Sequence, residues 1–370
     1  MYILKPSFYD NFKCIADECP YTCCRDWNIL VDSNTYSKYI KNPYICEHCT
    51  TDNNQTTKIN LREDGTCSFL NDNGLCELIV QYGEHILSDT CRYFPRLELV
   101  RPSSIEKSLS NACPAVLNFL NELSKPLYFI IEENDSDNSL AFSDREKYFQ
   151  CRDFLIDLLQ IRELPLRIRL YLIYIFSEHI DHNKDNIDSY IQWFGDNISK
   201  YYEQLLKIDD NTLLKLKYCF ELFLSCNGKN INYYGYKKYI HDIKQYIDGS
   251  NLNDFTISWS EFIHNVYDNK SVFFENFNVN HIFKNAVNYN DDYSFHQNIL
   301  IMLLEAIMIQ FTMFLWWMYK GKNISEEEIT EIACYYAKIM EHNNKFMTEF
   351  VISLKDKGYF DSGIMYILLG

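Results

Sequence analysis

The sequence predicts a mainly α-helical protein in which a small cysteine-rich, metal-binding N-terminal domain precedes an all-helical domain. Ten of the 14 cysteines lie within the first 113 residues, where glycines and prolines interrupt short elements. The rest of the chain is a series of amphipathic runs with apolar residues at helical spacing. We therefore predict a cysteine-rich domain over residues 1–125 and a helical domain over residues 140–370.

The predicted elements follow from local patterns. Residues 115–123 (AVLNFLNEL) are typical of a short helix, and residues 128–132 (YFIIE) of a strand. The polar turn over residues 133–139 marks the domain boundary, and Ser143 with the acidic residues after it indicates a helix start. Further helices are predicted over residues 166–179, 187–206, 212–225, 236–247, 255–267, 294–319 and 325–342.

The run over residues 298–319 is nearly as long and apolar as a membrane span. It contains Glu305 and Gln310, and a charged residue in the middle of a lipid-facing helix is costly. We predict a buried core helix in which both side chains face polar partners, and no membrane as a partner. The N-terminus does not have the pattern of a signal peptide, which predicts a cytoplasmic protein.

Eight cysteines form the candidate metal centre. A reducing cytosol keeps thiols free, so clustered cysteines there favour metal or redox chemistry over a disulfide framework, which is the alternative for an even number of cysteines. Thiolates at short spacing suit a soft ion or an iron–sulfur cluster. The candidate ligands are Cys14, Cys19, Cys23, Cys24, Cys67, Cys76, Cys91 and Cys113.

Four further patterns bear on the function. The formal charge of −16 argues against nucleic acid as a partner. The chain has no Gly-x-Gly, which removes the glycine-rich turn of Rossmann-type sites. Cys46 and Cys49 flank His48 with zinc-knuckle spacing but lack a second pair, so they are at most an accessory site. His342, near a helix end, is interpreted as a cation at the helix C-terminus.

The cysteine motifs resemble those of the CxxCxxCC family of zinc- or iron-chelating domains, and more closely those of the flagellin lysine N-methylases. The resemblance lies in Phe12–Ile15, Thr22–Trp27, Cys67–Cys76, Leu87–Arg96 and Ser108–Pro114, and it extends to Met340–Asn343. The spacing departs from the family pattern, because four residues separate Cys14 from Cys19 and three separate Cys19 from Cys23. Zinc and iron therefore both stay open.

This resemblance implies methyl transfer from S-adenosylmethionine to surface lysines of flagellin, with a [4Fe–4S] cluster in the cysteine-rich domain. A lysine acts as a nucleophile only after it loses a proton, and burial among aromatic rings lowers its pKa. Tyr93, Phe94 and Trp27 are the candidates for such a pocket because they flank motif cysteines; packing around the metal is the alternative.

The same motifs contain charged candidates for cofactor binding. Asp26 and Asp89 lie within two residues of a motif cysteine and could hold the sulfonium; solvated loop carboxylates are the alternative. Arg92 and Arg96 could donate to cluster sulfurs or to the methionine carboxylate, although a structural role in the loop is favoured.

A different function class also fits the cysteine pattern. The cysteine-rich domain alone does not specify methyl transfer, so a non-catalytic zinc- or iron-binding module for redox or interaction is the alternative to a protein-lysine methyltransferase. Bound S-adenosylmethionine would separate these two classes.

Overall fold

The computed structural model describes residues 1–20, 22–134, 146–180, 182–207, 211–227, 234–287, 293–360 and 362–369. Helices dominate these residues, which confirms the mainly α prediction. The predicted boundary turn and the helix start at Ser143 fall largely on residues 135–145, outside the described residues. The helices are α1 (Ser33–Tyr39), α2 (Pro43–Glu47), α3 (Glu77–Tyr82), α4 (Asp89–Tyr93), α5 (Pro114–Glu122), α6 (Tyr148–Leu159), α7 (Leu166–Ile180), α8 (Ile187–Asp196), α9 (Ile198–Leu205), α10 (Thr212–Cys226), α11 (Tyr234–Asp248), α12 (Leu252–Phe262), α13 (Ser271–Asn285), α14 (Phe295–Tyr319), α15 (Glu326–His342), α16 (Asn344–Asp356) and α17 (Ser362–Leu369).

Two small sheets lie in the N-terminal part of the chain. The strands are β1 (Tyr2–Pro6), β2 (Leu30–Val31), β3 (Cys49–Thr51), β4 (Thr57–Ile59), β5 (Arg96–Val100), β6 (Ser104–Leu109) and β7 (Phe129–Glu133). One sheet has the order β5-β6-β1-β7, in which β1 is parallel to β6 and antiparallel to β7. The other has the order β2-β4-β3. Strand β7 confirms the strand predicted from residues 128–132.

The buried apolar residues form two clusters. The smaller lies within the cysteine-rich segment and consists of Ile29, Val31, Tyr39, Ile45, Ile59, Cys67, Phe69, Leu78 and Leu87. The larger fills the helical region and also includes Phe8, Phe12 and the apolar residues of α5. Helix α5 packs against α13 and α15. The larger core therefore draws residues from both sides of the predicted domain boundary.

Helix α14 is the centre of the larger core. Ser294 and Gln297 form a capping box at its N-terminus. It is long and apolar enough to cross a membrane by composition, but 89% of its most apolar stretch is buried inside the protein. Glu305 Oε2 lies 3.0 Å from Nδ1 of buried His281, and Gln310 faces a cavity. The prediction of a core helix with a polar partner for Glu305 is confirmed.

Buried ion pairs fix the helices relative to one another and to the larger sheet. Glu275 of α13 is fully buried and pairs with Arg162, Nη2 to Oε1 at 2.7 Å, and with Arg169 of α7. Glu106 of β6 pairs with Arg152 of α6 and with Arg101. Strand β6 is thereby joined to the helical region by charge as well as by apolar packing.

Candidate functional site

Four motif cysteines lie together around the smaller core. Burial raises the pKa of the Cys67 thiol, and the charges of Cys24, Cys91 and Cys76 raise it further. Burial likewise raises the pKa of Cys91 to about 12, with added effects of Cys24 and Cys76. Cys67 belongs to the smaller core, and Cys24, Cys76 and Cys91 pack against it. The structure thus brings together cysteines that are far apart in the sequence.

The remaining motif cysteines form an adjoining group. Burial raises the pKa of Cys113 to about 12, and the charges of Cys19 and Cys14 add to this effect. A hydrogen bond with Cys24 and burial raise the pKa of Cys23. The charges of Cys91, from the first group, and of Cys113, from the second, raise it further. All eight predicted ligands therefore lie in one region, next to the face of the helical domain.

The thiols suit a soft metal chemically, but their positions do not form a metal site. Across the described residues, no three His, Cys, Asp or Glu side chains lie where they could hold one ion. All 14 cysteines are free thiols. Burial raises the pKa of Cys49 to about 11, and the charge of Cys46 raises it further. The ring of His48 contacts the rings of Tyr44 and Phe69. The metal centre stays a prediction that rests on the donor set.

The helix that carries Cys91 is held by the partly buried carboxylate of Asp32. Asp32 caps α1 by accepting from Thr35 N at 2.9 Å, and its second oxygen accepts from Asp89 N at 3.0 Å. Burial would raise the pKa of Asp32, but these N–H donors hold it below its ordinary value. Ser88 caps α4 through Cys91 N. Asp32 therefore links α1 to the helix that positions Cys91.

Trp27, Phe94 and His342 form an aromatic cluster, which we call the junction cluster, between the cysteine motifs and the end of α15. The Trp27 and His342 rings are 4.4 Å apart, Trp27 and Phe94 5.0 Å, and Phe94 and His342 5.8 Å between centroids. The Trp27 indole N–H donates to the Cys23 carbonyl. All three side chains are half-buried. The cluster thus has one edge at the surface.

Polar contacts fix the same end of α15 against its surroundings. Lys338 is buried and donates from Nζ to the Thr22 carbonyl at 3.2 Å. Glu341 forms a buried ion pair with Lys284 of α13 and accepts from the Ser110 hydroxyl. Buried charged groups of this kind are costly unless they are paired, so these contacts hold the helix end in one position.

His342 is a neutral imidazole in this environment. Burial lowers its pKa to about 4; Glu341 opposes this shift, and Lys284 and Lys338 add to it. Its Nε2 is buried, and no side chain or backbone group in the described part of the chain forms a hydrogen bond with it. The interpretation of His342 as a cation at the helix end is therefore wrong, because the buried site and its two ammonium neighbours favour the uncharged ring.

The other predicted site residues occupy different environments. Tyr93 is 55% exposed and Asp89 is exposed, whereas Asp26 is buried with a left-handed φ of 69°. Arg92 donates to the carbonyls of the 85–87 turn, and Arg96 donates to the Phe12 carbonyl at 3.3 Å. Both arginines hold backbone here, and their contact with a cofactor stays a prediction.

Sequence reasoning placed Ser110 and Glu341 in motif segments without giving them a role, and it did not identify Lys284 and Lys338. Each of them looks like an ordinary polar residue on a helix or in a loop. The available signal was the spacing of Lys338 and Glu341, which share a turn of α15 with His342. Their partners lie more than 50 residues away, so the contacts themselves leave no local pattern.

A cavity of about 340 Å³ lies separately, within the helical region. Its wall includes the π-helix Ile263–Tyr267 and the middle of α14. Polar side chains that line it include Arg167, Lys215, His264 and Asp268. None of the motif cysteines lines it, so it is distinct from the junction cluster.

Comparison with known proteins identifies relatives in two ways. Residues 152–368 match the family model described as the FliB lysine N-methylase C-terminal domain. Over 124 residues, 31% of this chain, the sequence is 30% identical to proteins named Lysine-N-methylase from Salmonella choleraesuis and Salmonella typhimurium. It is 29% identical, also over 124 residues, to a Flagellar biosynthetic protein FliU from Salmonella muenchen.

These alignments cover part of each relative. The matched stretch spans 31% of the length of the two lysine-N-methylases and 73% of the FliU protein. No solved structure matches the chain. Helix α15, which carries His342, lies inside the segment matched by the family model.

Proposed function

Because the chain belongs to the FliB lysine N-methylase family, which the match over residues 152–368 establishes, we propose that it transfers methyl groups from S-adenosylmethionine to surface lysines of flagellin. Relatives named Lysine-N-methylase support the reaction, and the flagellar name of the FliU relative supports the substrate. The observation that carries the proposal is the junction cluster, where the matched helical segment meets the cysteine motifs.

Methyl transfer to a lysine has requirements that this junction can meet. The ammonium must lose its proton, and a half-buried aromatic surface disfavours the charged form through desolvation. The donor is a sulfonium, a cation that a carboxylate or an aromatic face stabilises. Asp26 is buried and Asp89 is exposed, so Asp26 is the better of the two proposed carboxylates for the donor.

The proposal includes a metal group held by four of the eight motif cysteines, an iron–sulfur cluster of the [4Fe–4S] type with zinc as the alternative. Such a group, when bound, would join the loops that carry Trp27 and Phe94 through metal–thiolate bonds. The eight free thiols support a soft ligand set. We assign no step of methyl transfer to it.

Flagellin is the proposed protein partner, met in the cytoplasm before export. The formal charge of −16 favours a lysine-bearing surface over nucleic acid. The burial of α14 favours a protein without a membrane partner. If flagellin is not the substrate, both the proposed partner and the proposed encounter in the cytoplasm are wrong.

The test is co-expression of the full chain with flagellin, followed by mass spectrometry of flagellin peptides. We expect lysine-containing flagellin peptides that are heavier by one or more methyl groups. These heavier peptides should be absent when flagellin is expressed without the chain. Metal analysis of the anaerobically purified chain accompanies it. Unmodified flagellin together with a metal-loaded chain would favour the alternative, a non-catalytic zinc- or iron-binding module.

A further inference from the structure

The junction cluster has the features of a binding site for one side chain. Two aromatic rings, Trp27 and Phe94, stand against the imidazole of His342, and all three are partly exposed. A lysine side chain consists of a long apolar stem with a polar tip. The rings provide an apolar surface for the stem, and the polar tip needs a partner at the inner end.

At the inner end, Nε2 of His342 is a buried polar atom without a hydrogen-bond partner among the described residues. Native proteins seldom leave a buried polar atom without a partner, because its desolvation is not repaid. Such an atom indicates a missing ligand or water. Since the nitrogen is covered and the rings beside it are half-exposed, an incoming group has to displace a ring edge to reach it.

The charges around His342 decide which form of lysine fits. Lys284 of α13 and Lys338 of α15 both place ammonium groups close enough to lower its pKa, and Glu341 is neutralised in part by its ion pair with Lys284. A third ammonium would be repelled at this point. The neutral amine is therefore the form that the site accepts.

The same environment excludes His342 as the group that removes the proton. Its pKa is about 4, whereas that of a free lysine is about 10.4, so proton transfer between them would be unfavourable by about a million-fold. A neutral imidazole with its proton on Nδ1 can still accept a hydrogen bond at Nε2. Its role is to orient the amine.

We propose that Trp27, Phe94 and His342 form the docking site for the substrate lysine, with His342 Nε2 accepting an N–H hydrogen bond from its neutral amine. The lysine gives its proton to water before it docks. The amine lone pair then forms the N–C bond to the methyl carbon of the sulfonium donor, and the C–S bond breaks with its electrons on sulfur. The methylated ammonium then leaves or loses a proton to water. This inference rests on the proposed function.

The test compares two substitutions of His342 in the full chain with flagellin as substrate. His342→Gln keeps a hydrogen-bond acceptor but loses the aromatic ring, whereas His342→Phe keeps a ring against Trp27 and loses the acceptor. We expect His342→Gln to retain kcat within about 10-fold of the wild type, and His342→Phe to lose about 100-fold, as a hydrogen bond to the reacting group would require. Thermal unfolding of both variants checks the fold.

The outcomes separate this inference from the proposed function. A role in packing alone predicts the opposite order, with His342→Phe active and His342→Gln impaired, and that result would overturn the docking site. If neither variant folds, Phe94→Leu at the exposed edge should raise KM with little change in kcat, and an unchanged KM would equally overturn it. A wild-type chain that leaves flagellin unmethylated would refute the proposed function itself.

Discussion

Replacement of Glu275 by Gln should destabilise the fold strongly although the side chain keeps its shape. Glu275 is 0% exposed and holds two arginines. Arg169, at 4% side-chain exposure, donates from Nη1 to Oε2 at 2.5 Å, and Arg162 donates from Nε to Oε1 at 3.0 Å. The amide keeps the volume of the side chain but removes its charge, which leaves the buried Arg169 cation without a counter-charge.

The size of the effect follows from burial. Removing one partner of a buried ion pair costs about 3–5 kcal/mol, whereas an exposed pair contributes about 0–1 kcal/mol. The matched control is Glu261→Gln, because Glu261 pairs with Lys322 and both side chains are more than 40% exposed. Urea unfolding followed by tryptophan fluorescence measures both. A loss in Glu275→Gln as small as that in Glu261→Gln would refute this reasoning.

Three further predictions concern local features. A Cβ on Gly235 would lie 1.8 Å from the buried Tyr335 hydroxyl oxygen, while one on Gly195 meets nothing closer than 3.9 Å. In thermal unfolding, Gly235→Ala should therefore destabilise the protein by about 1–3 kcal/mol, and Gly195→Ala should stabilise it by up to about 1 kcal/mol. Stability changes of the same sign in the two variants would contradict this. Asp32→Ala should lower the free energy of unfolding by about 1–2 kcal/mol. Because folding lowers the pKa of Asp32, this contribution is present above about pH 4 and is lost as the pH falls below it. A difference in stability between variant and wild type that persists unchanged at low pH would argue against the cap. Cys91→Ser should lower the metal content of the anaerobically purified chain, and full metal content would remove this thiol from the ligand set.

The helices with an apolar stripe were predictable from the sequence, and those without one were not. The run over residues 187–206 is two helices, because Asn197 ends α8 and precedes α9. Helix α13 was not predicted. Its buried residues include Glu275, Asn276, Asn278, Asn280 and His281, so polar side chains occupy the positions that a periodicity search expects to be apolar.

Those buried polar residues are explained by partners elsewhere in the chain. Asn280 donates to the Leu109 carbonyl and to Asn111, and Asn276 donates to carbonyls at the end of α5. A helix that donates to backbone carbonyls 150 or more residues away needs polar groups on its inner face. Local propensity cannot report such contacts, because they form only after the two segments are packed.

The residues of the junction cluster could be singled out from the sequence, but the role of His342 and the contact between the residues could not. Trp27 and Phe94 were candidates because they flank motif cysteines, and both lie in the junction cluster. Tyr93 was a candidate for the same reason, but the turn of α4 exposes it to solvent. The contact of Trp27 with His342 joins residues more than 300 positions apart. The sequence identified each residue but could not predict their contact.

The most direct measurement uses an isotopically labelled methyl donor. The anaerobically purified full chain is incubated with S-adenosylmethionine that carries a deuterated methyl group and with flagellin, either native or with its lysines acetylated beforehand. The account predicts labelled methyl groups on lysine side chains of native flagellin and none on acetylated flagellin. Equal label on both forms, or no label on native flagellin from a metal-loaded chain, would contradict it.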